Sequence, residues 1–184
     1  MSNITKRAMA QSLKKMLLVK DIDKITITDI TNDCGINRQT FYYHFKDIYD
    51  LLEWIFANEV VEKIEKETTI ETWQENFKYV LDYMLKNKKF IIKTYNSLSR
   101  KTLLDFLFNQ YNTIFIEIVN DLSKNYNITK ENKIFIANFY KYGFVGIIEN
   151  WIVTEMKESP ENIIKKLDVM ISGSFEEAVK KMSN

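Results

Sequence analysis

The 184-residue sequence is short of the residues that most enzymatic and metal chemistry needs, with one cysteine, one histidine, one proline and four glycines. A lone cysteine, Cys34, excludes an intramolecular disulfide and suits a reducing compartment. At the turn it occupies, the expected role is packing. One His and one Cys cannot build a His/Cys metal site. One Pro and four Gly are too few for a turn-rich β protein. There is no Gly-rich phosphate loop and no Gly-x-Ser-x-Gly elbow. Carboxylates are scattered over helix faces with no convergent pair in view. The expectation is a chain that is not an enzyme and needs no cofactor or metal. Lys6, Arg7, Lys14 and Lys15 interrupt every early apolar stretch, so no signal peptide is expected. The longest apolar region, 135–156, contains Lys141, Glu149 and Glu155, which argues against a membrane span. A soluble, cytoplasmic protein is expected.

What is present is helical periodicity from end to end, so the expected fold class is all-α. The net charge of +1 names no partner, but its distribution does. Residues 1–46 carry +4 and the remainder −3, as suits a chain that touches phosphates at one end.

The stretch Ile25–Leu52 organises the rest. Thr26 and Asp29 form a capping-box pattern at the start of a short helix with Ile27 and Ile30 on its apolar face. Cys34-Gly35 ends that helix, because glycine tolerates the left-handed backbone of a helix end. Asn37 caps a second helix on which Thr40, Tyr43 and His44 share a face, while Phe41 and Phe45 lie on another suited to packing inward. Two capped helices across a glycine turn predict a helix-turn-helix, whose second helix fits the major groove of double-stranded DNA. Met9, Leu13, Met16 and Leu17 predict a preceding helix over 3–19. Its basic residues read equally as phosphate contacts or as an ordinary solvated face.

These residues resemble the N-terminal domain of the tetracycline-repressor (TetR) family of bacterial regulators. The resemblance rests on Ile-Thr-Ile-x-Asp-Ile (25–30), Cys34-Gly35-Ile36, Arg38, and Thr40-Phe41-Tyr42-Tyr43-His44-Phe45-Lys46-Asp47 followed by Leu51-Leu52. It covers about a quarter of the chain. One departure stands out: members often carry a lysine two residues after the Lys46 position, where this chain has Ile48, so one backbone contact that the resemblance implies is missing.

Base-edge readout is expected from Arg38, Gln39, Thr40, Tyr43 and His44, since Arg pairs with guanine and Gln with adenine. Phosphate contacts are expected from Thr28, Asn37, Tyr42 and Lys46. The competing reading of any one of them is surface or packing. His44 as a catalytic base lacks local partners.

The expected domains are a DNA-binding head, 1–47, and a helical effector-binding and dimerisation body, 48–184. Asp47 caps a helix that continues to about Lys66, a polar break spans 67–69, and Thr72 opens the next helix. The most apolar helix runs from Thr129 to Met156 and must be buried on more than one side. Its Gly143 and Gly146 call for close approach of another backbone. From Pro160, Ile163 to Met182 form one uninterrupted stripe. Those last two helices present more apolar surface than one small body covers, so Ile148, Ile152, Leu167, Met170, Ile171, Phe175 and Val179 are expected at a homodimer interface. The alternative is two core helices of a single subunit. Trp73, Phe77, Tyr83, Tyr95, Phe108, Tyr111, Phe139 and Trp151 are candidates for an effector pocket of the kind the resemblance implies, or else plain core.

Two body motifs, Leu52-Glu53-Trp54-Ile55-Phe56 and the run from Tyr142 to Trp151, resemble regulators of dihydroxyacetone kinase operons. That branch implies a protein partner and an activator. The reading is therefore a homodimeric regulator on a palindromic operator, controlled by a small-molecule effector or by a protein co-regulator. An interaction protein with secondary DNA binding is the main competitor.

Overall fold

The computed structural model describes residues 2–60 and 69–183, which are all-α. The helices are α1 (Ser2–Leu17), α2 (Ile27–Cys34), α3 (Arg38–His44), α4 (Ile48–Glu59) and α5 (Trp73–Lys86). They continue as α6 (Lys88–Tyr95), α7 (Arg100–Leu122), α8 (Lys130–Val153), α9 (Pro160–Ile171) and α10 (Ser174–Lys181). A single 3-10 turn, Ile22–Lys24, separates α1 from α2. The expected continuation of α4 to Lys66, and most of the polar break after it, lie outside the described residues.

The packing divides the chain into two compact units, Met1–Lys63 with Asn87–Phe106, and Ile64–Lys86 with Leu107–Asn184. In the first, Met9, Leu13 and Leu17 of α1 are buried with Ile30, Phe41, Phe45, Leu51, Leu52 and Ile55. Phe56 of α4 meets Phe90 and Phe106, with ring centroids 5.8 Å and 5.3 Å away. Lys14 donates to Glu59 at 2.6 Å and holds the same ammonium 5.5 Å from the Phe90 ring, so one charged group ties α1 to α4 and α6. Lys15 and Asp33, 2.8 Å apart, tie α1 to α2 at the surface.

The second unit is built on aromatic rings. Phe115 of α7 lies between Tyr111, Tyr140, Phe144 and Phe175, with centroids 4.9–6.1 Å away. Tyr140 of α8 stacks on Phe175 of α10 at 3.5 Å, and its hydroxyl meets that of Ser174 at 2.9 Å. Gln74 of α5 donates to Asp168 of α9 at 2.6 Å.

Two helix ends differ from expectation. The stripe from Ile163 to Met182 is two helices, broken at Ser172-Gly173, where Gly173 takes a left-handed φ of 73°. Ile171 and Phe175 keep their four-residue spacing across the break, so periodicity alone does not reveal it. α8 stops at Val153, three residues early, because Glu155 and Met156 both turn left-handed (φ 56° and 51°). The turn is held by Met156 N–H donating to Trp151 O at 2.7 Å and by Trp151 Nε1 donating to Glu158 O at 2.8 Å.

Candidate nucleic-acid interface and effector recess

The helix-turn-helix is assembled by local hydrogen bonds. Thr26 Oγ1 accepts from the Asp29 amide at 3.1 Å while Asp29 Oδ2 accepts from the Thr26 amide at 2.9 Å. The reciprocal box satisfies two donors that the helix start leaves open. Those bonds, with the Lys20 ammonium nearby, hold the Asp29 carboxyl below its ordinary range. Gly35 turns left-handed at φ 65°, and the chain re-enters a helix at Asn37. Asn37 Oδ1 accepts from both the Thr40 amide, at 2.8 Å, and the Thr40 hydroxyl, at 3.0 Å.

α3 has an anchored side and an open one. Phe41 and Phe45 are buried and Phe45 meets Trp54 of α4 at 5.9 Å. Opposite them Arg38, Gln39, Tyr42 and Tyr43 are exposed, Tyr43 to 82%. His44 is half-buried, its ring edge-on to that of Tyr43 at 4.9 Å. Arg38 donates to the Tyr42 hydroxyl at 3.3 Å. Thr40 is half-buried with its hydroxyl engaged in the cap. Thr28 and Lys46 are exposed at the start of α2 and beyond the end of α3. All nine expected contact residues thus lie on α3, its flanks or the first turn of α2. Lys6, one of the basic residues of α1, holds its ammonium 5.5 Å from the Phe45 ring and 5.8 Å from the Trp54 ring. Burial raises the Cys34 thiol above its ordinary range, so it stays protonated and unreactive.

The eight aromatic pocket candidates separate. Trp73, Phe77 and Tyr111 line one recess with Asn76, Val80, Ile114, Phe115 and Phe144. Tyr83 and Phe108 are half-buried, and Phe108 meets Tyr142 at 5.4 Å. Trp151 is buried and committed to its bond with Glu158, and Tyr95 belongs to the first unit, where Arg100 lies over its ring at 4.3 Å. Phe139 is 69% exposed and lies outside this recess. Phe144 and Phe115 joined the recess without a sequence signal that separates them from core.

The residues expected at a dimer interface need a correction. Ile148, Ile152, Leu167, Ile171, Phe175 and Val179 are buried within the chain's own core, and Met170 alone of the seven is exposed, at 75%. An all-apolar helix does not reveal by pattern which side its own subunit covers. The uncovered apolar face of α8 carries Phe135, Phe139, Tyr142 and Val153, each 59–69% exposed, and α9 adds Val169 and Met170. Gly143 and Gly146 are also exposed.

Among the described residues no group of three or more His, Cys, Asp or Glu is arranged to hold a metal, and no helix is long and apolar enough to cross a membrane.

Residues 71–173, more than half of the chain, match the family model described as the transcriptional regulator C-terminal region of TetR proteins. The chain belongs to the TetR family of transcriptional regulators. This TetR-family chain is similar to the HTH-type dhaKLM operon transcriptional activator DhaS of Lactococcus lactis subsp. lactis (strain IL1403). The two are 27% identical over 154 residues, 83% of this chain and 81% of the relative. Among solved structures, the dihydroxyacetone kinase operon activator DhaS superposes with a TM-score of 0.69 at 23% identity, covering 98% of this chain and 99% of that one. NalD, the secondary repressor of the MexAB-OprM multidrug efflux pump in Pseudomonas aeruginosa, gives a TM-score of 0.60 at 12% identity, covering 92% and 94%. These likenesses show the TetR fold, with the curated relative on the DhaS-like branch. The family's members named here are regulators, not enzymes.

Proposed function

We propose that this TetR-family regulator works as a homodimer that binds a palindromic operator, one head per half-site. Residues 1–47 meet the DNA and 48–184 provide dimerisation and effector response. The observation that carries the reading is the two-sidedness of α3: Phe41 and Phe45 fix it to the head while Arg38, Gln39 and Tyr43 are left open. Base readout falls to Arg38, Gln39, Thr40, Tyr43 and His44. Phosphate positioning falls to Thr28, Tyr42, Lys46 and the Asn37 amide nitrogen, which its capping oxygen leaves available.

The second copy docks on the uncovered face of α8 and α9. Exposed apolar side chains at helical spacing, as Phe135, Phe139 and Tyr142 are on α8, mark a protein contact, and a two-fold dimer matches a palindrome. An effector in the aromatic recess alters the spacing of the two heads and so the fit to half-sites an integral number of turns apart. The test is titration against the chain's own upstream intergenic DNA at several salt concentrations. Tight, sequence-dependent binding that falls steeply with salt supports the reading. Binding equal to that of unrelated DNA sinks it.

The same apolar face supports a second reading, in which it docks a different protein that controls an activator, as the resemblance of the two body motifs to regulators of dihydroxyacetone kinase operons implies. The mass of the purified chain separates the two: a stable dimer leaves that face covered, a monomer leaves it for the partner.

A further inference from the structure

Arg38 and Tyr42 stand one helical turn apart on the open side of α3. The Arg38 guanidinium donates from Nη2 to the Tyr42 hydroxyl at 3.3 Å and lies 5.9 Å from the centre of the Tyr42 ring. We propose that Tyr42 is a positioning residue for sequence readout: its hydroxyl presets Arg38 for bidentate contact with one guanine of each half-site. Discrimination at that guanine then depends on a side chain that itself meets only the DNA backbone. The proposal deepens the operator reading above and rests on it.

Tyr42 has the firmer footing of the two. Its ring meets that of the buried Phe41 edge-on, with centroids 5.9 Å apart and planes at 86°. Arg38 is exposed, and among the described residues Tyr42 is its polar partner. A long cation free to sample its rotamers has to be ordered when it docks, and that ordering subtracts from binding. Held by Tyr42, Arg38 has part of that ordering done in the folded chain. The helix gives no other reason for a cation here, because the first position of α3 faces the positive end of the helix dipole. The donor arithmetic leaves the reading edge open. A guanidinium has five N–H donors. One goes to Tyr42, and the pair needed for guanine O6 and N7 remains. The phenol, having accepted from Arg38, still has its own O–H to donate. Tyr42 is 51% exposed and offers that proton to a phosphate. One hydroxyl thus links registration on the backbone to reading of a base. Stacking on the ring alone would leave the guanidinium free to rotate over it, whereas the hydrogen bond sets the direction of the fork.

Fluorescence anisotropy of the full chain on its own upstream intergenic DNA tests this. Each guanine of the bound site is replaced in turn by its deaza analogue, which lacks the N7 acceptor and keeps the Watson–Crick pair. In the wild type one such replacement per half-site is expected to weaken binding about tenfold, and the same replacement should cost nothing in Arg38→Ala. Tyr42→Phe keeps the ring and removes the hydroxyl. It is expected to shrink that penalty about fivefold, to leave the other guanines as they were, and to change no discrimination in the Arg38→Ala background. Arg38→Lys, which keeps the charge and loses the fork, should abolish the penalty while the thermal melt stays that of the wild type. A Tyr42 that only contacts phosphate would weaken every sequence equally in Tyr42→Phe and leave the penalty at its wild-type size, which overturns the proposal. A site in which no guanine is read through Arg38, or a penalty kept whole in Arg38→Lys, overturns it too. Wild-type binding no better than to unrelated DNA overturns the operator reading and the proposal together, whereas specific binding with an unchanged penalty in Tyr42→Phe overturns the proposal alone.

Discussion

Gly143 and Gly146 lie three residues apart on the open side of α8, and apart from the adjoining helix backbone and chain neighbours no atom stands within 4 Å of where a Cβ on either would be. Within one subunit nothing requires glycine there. Replacing Gly146 with alanine removes a helix penalty of about 1 kcal/mol, so the isolated subunit should gain stability. In the proposed dimer the same methyl stands between two backbones. Sedimentation should therefore show Gly146→Ala dissociating at higher protein concentration than the wild type. A variant as tightly associated as the wild type would remove Gly146 from the interface.

Phe139 offers a blunter test of the same face. It is 69% exposed, so Phe139→Glu should leave the helical spectrum of the monomer intact. A charge in the middle of an apolar dimer contact should shift the mass from dimer to monomer at micromolar concentration. An unchanged dimer would move the interface elsewhere.

Tyr43 and Asn37 separate DNA contact from helix capping. Tyr43→Ala removes an exposed ring and should cost roughly 1–3 kcal/mol of operator affinity with no change in melting temperature. Asn37→Ala removes the cap of α3 and should destabilise the head by about 1 kcal/mol. Asn37→Asp keeps a capping oxygen and so should keep stability, while its negative charge beside phosphate weakens operator binding. Filter binding and thermal melts on the three variants check each part.

Acid stability should register Asp29. Its carboxyl lies below the ordinary carboxylate range in the folded chain, first because of the bond from the Thr26 amide. A depressed carboxylate stabilises the fold above the unfolded value of about 3.9 and loses that contribution as pH falls through the folded value. Asp29→Asn should lower stability at neutral pH and flatten the decline between about pH 4 and the folded value. Equal acid curves for the two proteins would remove Asp29 from the account.

Phe115 should be the most sensitive position of the second unit. Its ring meets four others, from α7, α8 and α10. Phe115→Ala should cost about 3–5 kcal/mol, measured by urea unfolding.

Features set by short-range bonding were legible in the sequence. Thr26, Asp29, Asn37, Asp47, Thr129 and Pro160 act within three residues, so each of those helix starts could be read where it stands. The inward side of α3 was legible too, because Phe41 and Phe45 have polar neighbours to contrast with. α8 offers no such contrast. With apolar side chains on every face, Ile148 inside and Tyr142 outside look alike until a partner surface is known. The break at Gly173 was hidden by spacing that survives it, and the early stop at Val153 by left-handed residues that are not glycine. The recess brings together α5, α7 and α8 from distant parts of the chain, which no local pattern encodes.

The open apolar face of α8 also ties folding to abundance. In the proposed dimer, a chain that covers Phe135, Phe139 and Tyr142 only by association has a melting temperature that rises with its own concentration. At the low copy number of a regulator, newly made chains then spend time as monomers with that face in water. Those solitary chains are the ones a protease or chaperone meets first, so the level of active regulator should respond more steeply than linearly to its rate of synthesis.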